Sequence, residues 1–211
     1  MFSSTHELKT AIVNCRSCPL FQGISKGPMA FEGQGTFPIM IVSDSPTGEE
    51  YNNGGPLRSS GGQFLFETLK AVGFENPNAF VRTNCVKCHQ PKGLQGNQAS
   101  EALMCGGWLD QEIAMFRPKL VIALGNLGLY RFSQDYDNRT IPRKKELDGI
   151  GAKHGEIEWN ERYQCWVMFL MSPRSIIHNP RNTDRFMDAL HKLKTFINNG
   201  FRMPEEILET K

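Results

Sequence analysis

The apolar positions of this chain fall into short runs separated by stretches of helical period. Residues 38–42 (PIMIV), 79–82 and above all 119–124 (KLVIAL) are too short for helices and are bounded by turn residues, as strands buried on both faces are. Around them, residues 5–15, 63–72, 100–115 and 184–197 repeat apolar side chains three and four apart and read as amphipathic helices. Gly73 is placed to stop the second of these, and Gly54-Gly55-Pro56 with Gly61-Gly62 brackets a glycine-rich loop before it. Gly125-Asn126 ends the 119–124 strand, and another helical pattern follows. Residues 156–159 and 163–170 read as strands joined by a turn at Asn160-Glu161, and the basic cluster at 139–145 reads as a solvated loop. The alternation of strand and helix predicts an α/β fold: a three-layer α/β/α domain with a central, largely parallel sheet and its functional loops at the strands' carboxyl ends. Residues 1–200 are expected to form a single domain, followed by a tail at 201–211.

Charge changes this picture little. Twenty-four basic and 22 acidic residues leave a net charge of +2, so a nucleic-acid footprint has to be local rather than global. No apolar run reaches the roughly 18 to 20 residues that span a bilayer, and no basic-then-apolar leader opens the chain, so a monomeric protein of an intracellular, reducing compartment is expected.

Chemistry first enters with six cysteines, at 15, 18, 85, 88, 105 and 165. Without secretory features they read as ligands or core thiols rather than a disulfide framework. Cys15-x-x-Cys18 places two thiols close enough for one metal centre, and Cys88 with Cys105 offers a second pair. Four thiolates suit zinc or a 4Fe-4S cluster, and spacing alone equally permits Cys85 in place of Cys88. Cys165, inside an apolar strand, reads as a buried core residue.

Several segments, in order, resemble the 4Fe-4S members of the uracil-DNA glycosylase superfamily, families 4 and 5, with family 4 the nearer. The similarity runs from about Cys15 to Ile177. After the early C-x-x-C, residues 43–50 (SDSPTGEE) stand in the place of G-E-x-P-G-x-x-E-D, and Gly54-Gly55-Pro56-Leu57-Arg58-Ser59 in the place of G-x-P-F-x-G. Residues 84–88 (NCVKC) reproduce N-x-x-K-C completely, residues 121–128 (VIALGNLG) follow the next segment, and FLMSPRSII occupies the place of H-P-S-x-L-L. The resemblance implies a uracil-DNA glycosylase-like fold and a 4Fe-4S cluster held by Cys15, Cys18, Cys88 and Cys105, with Cys85 a bystander. It also implies DNA as partner, and release of uracil or a related pyrimidine by hydrolysis of its N-glycosidic bond.

Breaking that bond develops positive charge on the sugar and negative charge on the departing base. The resemblance gives Asp44 the place of a glutamate that orients water or steadies the sugar cation. It gives Asn84 the amide that reads the O4 and N3–H edge of uracil, and sets Pro46, Gly55 and Leu57 against the base. Leu57 replaces an aromatic plate, and Ser172 replaces a histidine that helps the base depart, with His178 six residues on as a possible substitute. Ile176 and Ile177 fall where an apolar wedge enters the duplex, and Arg58, Lys87, Lys92, Arg174 and Arg181 lie near enough in sequence to meet phosphates. An aspartate capping a loop and an asparagine in an Asx turn are the ordinary alternatives for Asp44 and Asn84. Departures at Asp44, Leu57 and Ser172 also admit a catalytically impaired relative that binds DNA or a protein partner. The cysteines alone would suit an electron carrier or a zinc-bound interaction domain.

Overall fold

A computed structural model describes residues 2–21, 27–89, 98–133 and 149–203. The basic cluster at 139–145, Lys92 and the tail beyond 203 lie outside the described residues. Five strands, β1 (Ile39–Ser43), β2 (Val81–Asn84), β3 (Leu120–Leu124), β4 (Ile157–Asn160) and β5 (Cys165–Leu170), form one sheet in the order β2-β1-β3-β5-β4. β1 runs parallel to β2 and to β3, β3 runs parallel to β5, and β4 closes the edge antiparallel to β5. The helices in chain order are α1 (Thr5–Val13), α2 (Gly48–Asn52), α3 (Ser60–Ala71), α4 (Gln98–Phe116), α5 (Gly125–Phe132), α6 (Ile150–Lys153), α7 (Pro173–His178) and α8 (Thr183–Asn198).

Two-residue alternation splits the apolar strands between two cores. Met40, Val42, Val121, Ala123, Val167 and Phe169 pack on α1, α4 and α5 through Leu8, Ile12, Leu109, Ile113 and Leu127. Ile39, Ile41, Leu120, Ile122, Met168 and Leu170 pack on α3, α7 and α8 through Leu65, Leu69, Ile176, Phe186 and Leu190. The result is the three-layer α/β/α arrangement with a mostly parallel sheet. The order β2-β1-β3 also makes the β1/β3 boundary the switch point, where a parallel sheet opens a crevice at its carboxyl edge.

The glycine-rich loop is shorter than the sequence pattern implies. α3 begins at Ser60, so Gly61 and Gly62 lie in its first turn, with the Ser59 side chain accepting from the Gly62 N–H. Their use is close approach rather than flexibility. A Cβ on Gly62 would stand 1.8 Å from the Leu57 carbonyl oxygen and 2.4 Å from its carbon, and a Cβ on Gly61 3.3 Å from the Arg174 nitrogen. Gly62→Ala is therefore expected to lower stability by more than about 3 kcal/mol, because backbone cannot yield as a side-chain tip does. Thermal melting checks this, and a melting curve matching the wild type would show that the loop at Leu57 moves aside freely.

Candidate active site

A cleft of about 820 Å³ opens at the switch point. Its walls come from Ser43 to Pro46 after β1, from Leu57 and the start of α3, from Leu124 at the end of β3, and from Ser172, Arg174, Ile177 and His178 on and before α7.

Asp44 lies where β1 meets α5. Its Oδ1 accepts from the Leu127 N–H at 2.9 Å, and the Gly128 N–H acts on the same carboxylate, so the acid sits on the free amides of the α5 N-terminus. Burial nevertheless dominates and pushes the Asp44 carboxyl up to about 6, against those hydrogen bonds. Gly125, at φ +77, makes room for it: a Cβ there would fall 2.5 to 2.8 Å from the carboxyl atoms. The simple loop-capping alternative thus has a physical counterpart, since Asp44 ties two elements together, but the carboxylate also faces the cleft.

Asn84 ends β2 directly beside Ser43, its register partner on β1. The Ser43 hydroxyl donates to Asn84 Oδ1, while Nδ2 of this 1% exposed side chain has no partner among the described residues. An unpaired buried amide donor costs about 1–3 kcal/mol, so Asn84, which sits behind Ser43 and does not itself line the cleft, is held in a state that a carbonyl acceptor would relieve. Ser43 stands in the place of the glycine of G-E-x-P-G, and nothing in the sequence signals its bond to Asn84.

Leu57 is 6% exposed and takes φ +58, a left-handed conformation unusual for a branched residue. Glu50 holds it there: one carboxylate oxygen accepts from the Leu57 N–H at 2.7 Å and the other from the Thr47 N–H at 2.6 Å. Thr47 in turn caps α2 and completes a capping box with Glu50. This acid therefore fixes both loops of the cleft, a role that its adjacency to Glu49 in sequence conceals. Gly55 does not line the cleft. A Cβ on it would meet the Glu32 carboxylate at 2.4 to 2.5 Å, so its smallness serves the Glu32 contact. Arg58 faces away into a second hollow and pairs with Glu32 at 3.0 Å.

Ser172 precedes α7 and makes no capping bond with its side chain, so its hydroxyl remains available to the cleft. His178, the last residue of α7, and Arg174 are exposed on the same rim. The two isoleucines part company: Ile176 is 1% exposed within the core, whereas Ile177 is 42% exposed at the mouth. Of the pair, the wedge geometry is available to Ile177. Arg181 is also exposed. Lys87 is not a phosphate contact. It is 1% exposed and donates to Thr83 Oγ1 at 2.7 Å, the Asn84 carbonyl at 2.8 Å and Glu112 Oε2 at 2.8 Å, clamping the end of β2 to α4. His89, absent from the sequence expectations, also lines the cleft, with Nδ1 2.8 Å from the Pro46 carbonyl. Because that carbonyl can only accept, Nδ1 carries the hydrogen.

The cysteines separate by environment. All six are free. Cys15 and Cys18 follow α1, Cys88 follows β2 and Cys105 lies on α4, and their charges act on one another. Burial pushes Cys88 up to about 12 and Cys105 up to about 11. Burial also opposes the charge on Cys15, but hydrogen bonds to Ser17 and from Trp108 Nε1, the latter 3.2 Å from Sγ, leave it lowered. Among the described residues no three His, Cys, Asp or Glu side chains are grouped to hold a single ion. Four thiols that act on one another are a donor set that suits zinc or an iron-sulfur centre. Cys85 and Cys165 are buried among apolar side chains, and burial raises both thiols, Cys165 to about 12.

The sequence model of the Uracil DNA glycosylase superfamily matches residues 31–194, and the chain belongs to that superfamily. It is similar to the Type-4 uracil-DNA glycosylase of Pyrobaculum aerophilum, 36% identical over 57% of this chain and 58% of that protein. It is also similar to the Type-4 uracil-DNA glycosylase of Sulfurisphaera tokodaii, 29% identical over 64% of this chain and 61% of that protein. The Type-4 uracil-DNA glycosylase of Archaeoglobus fulgidus is 23% identical over 90% of this chain and 92% of its own length. The first two matches thus span about three fifths of those relatives. Among the described residues no helix is long and apolar enough to cross a membrane.

Proposed function

We propose that this protein is a DNA glycosylase that takes uracil or a related pyrimidine out of the base stack and hydrolyses its N-glycosidic bond. The observation that carries the reading is the unpartnered Nδ2 of buried Asn84, one strand away from the partly desolvated carboxylate of Asp44 at the same sheet edge. A donor awaiting a carbonyl beside an acid suits a base leaving with negative charge and a sugar gaining positive charge. Asp44 orients the attacking water and faces the developing sugar cation. Ser172 offers a neutral hydrogen bond to the departing base, Pro46 and Leu57 pack against it, and His178 and Arg174 stand on the rim toward DNA. Ile177 enters the gap left by the flipped nucleotide. The chain acts as a monomer in an intracellular, reducing compartment.

Cys15, Cys18, Cys88 and Cys105 hold a 4Fe-4S cluster in this reading, supported by their free thiols, mutual proximity and the Type-4 names of the relatives. The cluster is structural, joining the segment after α1 to β2 and α4, and leaves Asn84 and Asp44 on a firm base. The test is release of labelled base from uracil-containing single and double strands. Asn84→Ala is expected to slow release by about 10²–10³-fold, the usual cost of one donor to a developing anion. Equal rates for the two proteins would remove Asn84 from the site.

A further inference from the structure

Ser43 stands where the G-E-x-P-G motif has glycine, and its hydroxyl does what glycine cannot: it donates to Asn84 Oδ1. A hydroxyl has a single hydrogen. With that hydrogen committed to Asn84, the lone pairs of Oγ are what Ser43 offers to the cleft that it lines. Asn84 keeps Nδ2 unpartnered. The two residues are register neighbours on adjacent parallel strands, so the sheet itself, rather than a loop, sets their side-by-side placement.

A donor beside an acceptor is the complement of one edge of uracil, where O4 accepts next to an N3–H that donates. Cytosine presents the reverse, an amino donor next to a bare N3. We propose that Ser43 is a base-reading residue: its Oγ accepts from N3–H while Asn84 Nδ2 donates to O4. This rests on the glycosylase reading above. Accommodating cytosine requires the amide to turn over and the hydroxyl to turn with it, so that Nδ2 donates to Oγ and Oγ donates outward. Discrimination therefore resides in the direction of one hydrogen bond between β1 and β2, and the reading of the base is shared by two side chains.

The test measures binding of cluster-loaded protein to oligonucleotides carrying a non-hydrolysable 2′-fluoro-2′-deoxyuridine or 2′-fluoro-2′-deoxycytidine. Wild type, Ser43→Ala and Ser43→Thr are compared, with thermal melts alongside. The expected result is a fall of about 10-fold in both the affinity for the uracil strand and the uracil-to-cytosine ratio in Ser43→Ala, with Thr restoring them, on the scale of one buried hydrogen bond. A merely structural serine would change both affinities together and leave the ratio alone. A wild-type preference for uracil that survives unchanged in Ser43→Ala overturns the proposal and spares the glycosylase reading. A wild-type ratio near one overturns the proposal as well, and base release from the uracil strand decides separately whether the glycosylase reading stands.

Discussion

Asp44→Asn is expected to slow base release by at least about 100-fold, the low end for losing a general acid–base group, while leaving the protein folded. Asparagine keeps an oxygen to accept from the Leu127 N–H, so the β1–α5 tie survives. What it loses is the charge. The wild-type profile should report the same group: burial lifts the Asp44 carboxyl from 3.8 to about 6, so activity should rise with pH through about 6 and level off above it. Stability runs the opposite way. A carboxyl whose folded value is raised binds its proton more tightly when folded, so its favourable contribution is complete below the unfolded value of 3.8 and is lost as pH rises through about 6. At pH 8, Asp44→Asn should thus be as stable as wild type or up to about 3 kcal/mol more so. A variant both inactive and unfolded would make Asp44 a strut only, and a flat activity profile from pH 5 to 8 would remove its carboxylate from the chemistry.

Cys88→Ser, made and purified anaerobically, should lose the visible absorption of the cluster and fall well below about four irons per chain. The consequence reaches beyond the metal because the thiols come from three places: the segment after α1, the end of β2 and α4. Without their common ligand, α1 is held chiefly by its apolar face, through Leu8 and Ile12. Loss of a group that binds only the folded chain removes its binding energy from folding, and a drop of roughly 10 °C in Tm is expected, equivalent to about 3–4 kcal/mol for a chain of this size. Cys85→Ser tests the other side of the assignment. Its thiol lies in the apolar core, so iron content should be retained despite some loss of stability. Iron lost from Cys85→Ser and kept in Cys88→Ser would reverse the ligand set.

Much of this was legible in the sequence because the relevant signals are local. The 119–124 run contains β3, and residues 184–197 coincide with α8 to within a residue at each end, since buried strands and amphipathic helices write their period directly into the chain. Residues 79–82 missed the register of β2, which runs Val81–Asn84, because Pro77–Ala79 turn as a short 3-10 helix first. α2 and α7 were unreadable for a different reason. They span only Gly48–Asn52 and Pro173–His178, too short for a hydrophobic period, and depend on a capping box and on packing. Among candidate residues, a motif points to single positions, whereas Ser43 and His89 act through the remote Asn84 and Pro46, and Glu50 through Thr47 and Leu57, pairings that no motif spells out. Lys87 shows the converse error. Lysine near a functional loop suggests phosphate, and only the fold reveals that Glu112 on α4 buries it.

Incubating cluster-loaded wild-type protein in excess over an end-labelled oligonucleotide with one uracil, followed by alkaline cleavage, tests the central claim most directly. The account predicts a single cut at the uracil, absent from the matching cytosine strand and lost in Asp44→Asn and Asn84→Ala. An intact uracil strand across pH 5 to 9, from protein with its full iron content, would contradict it.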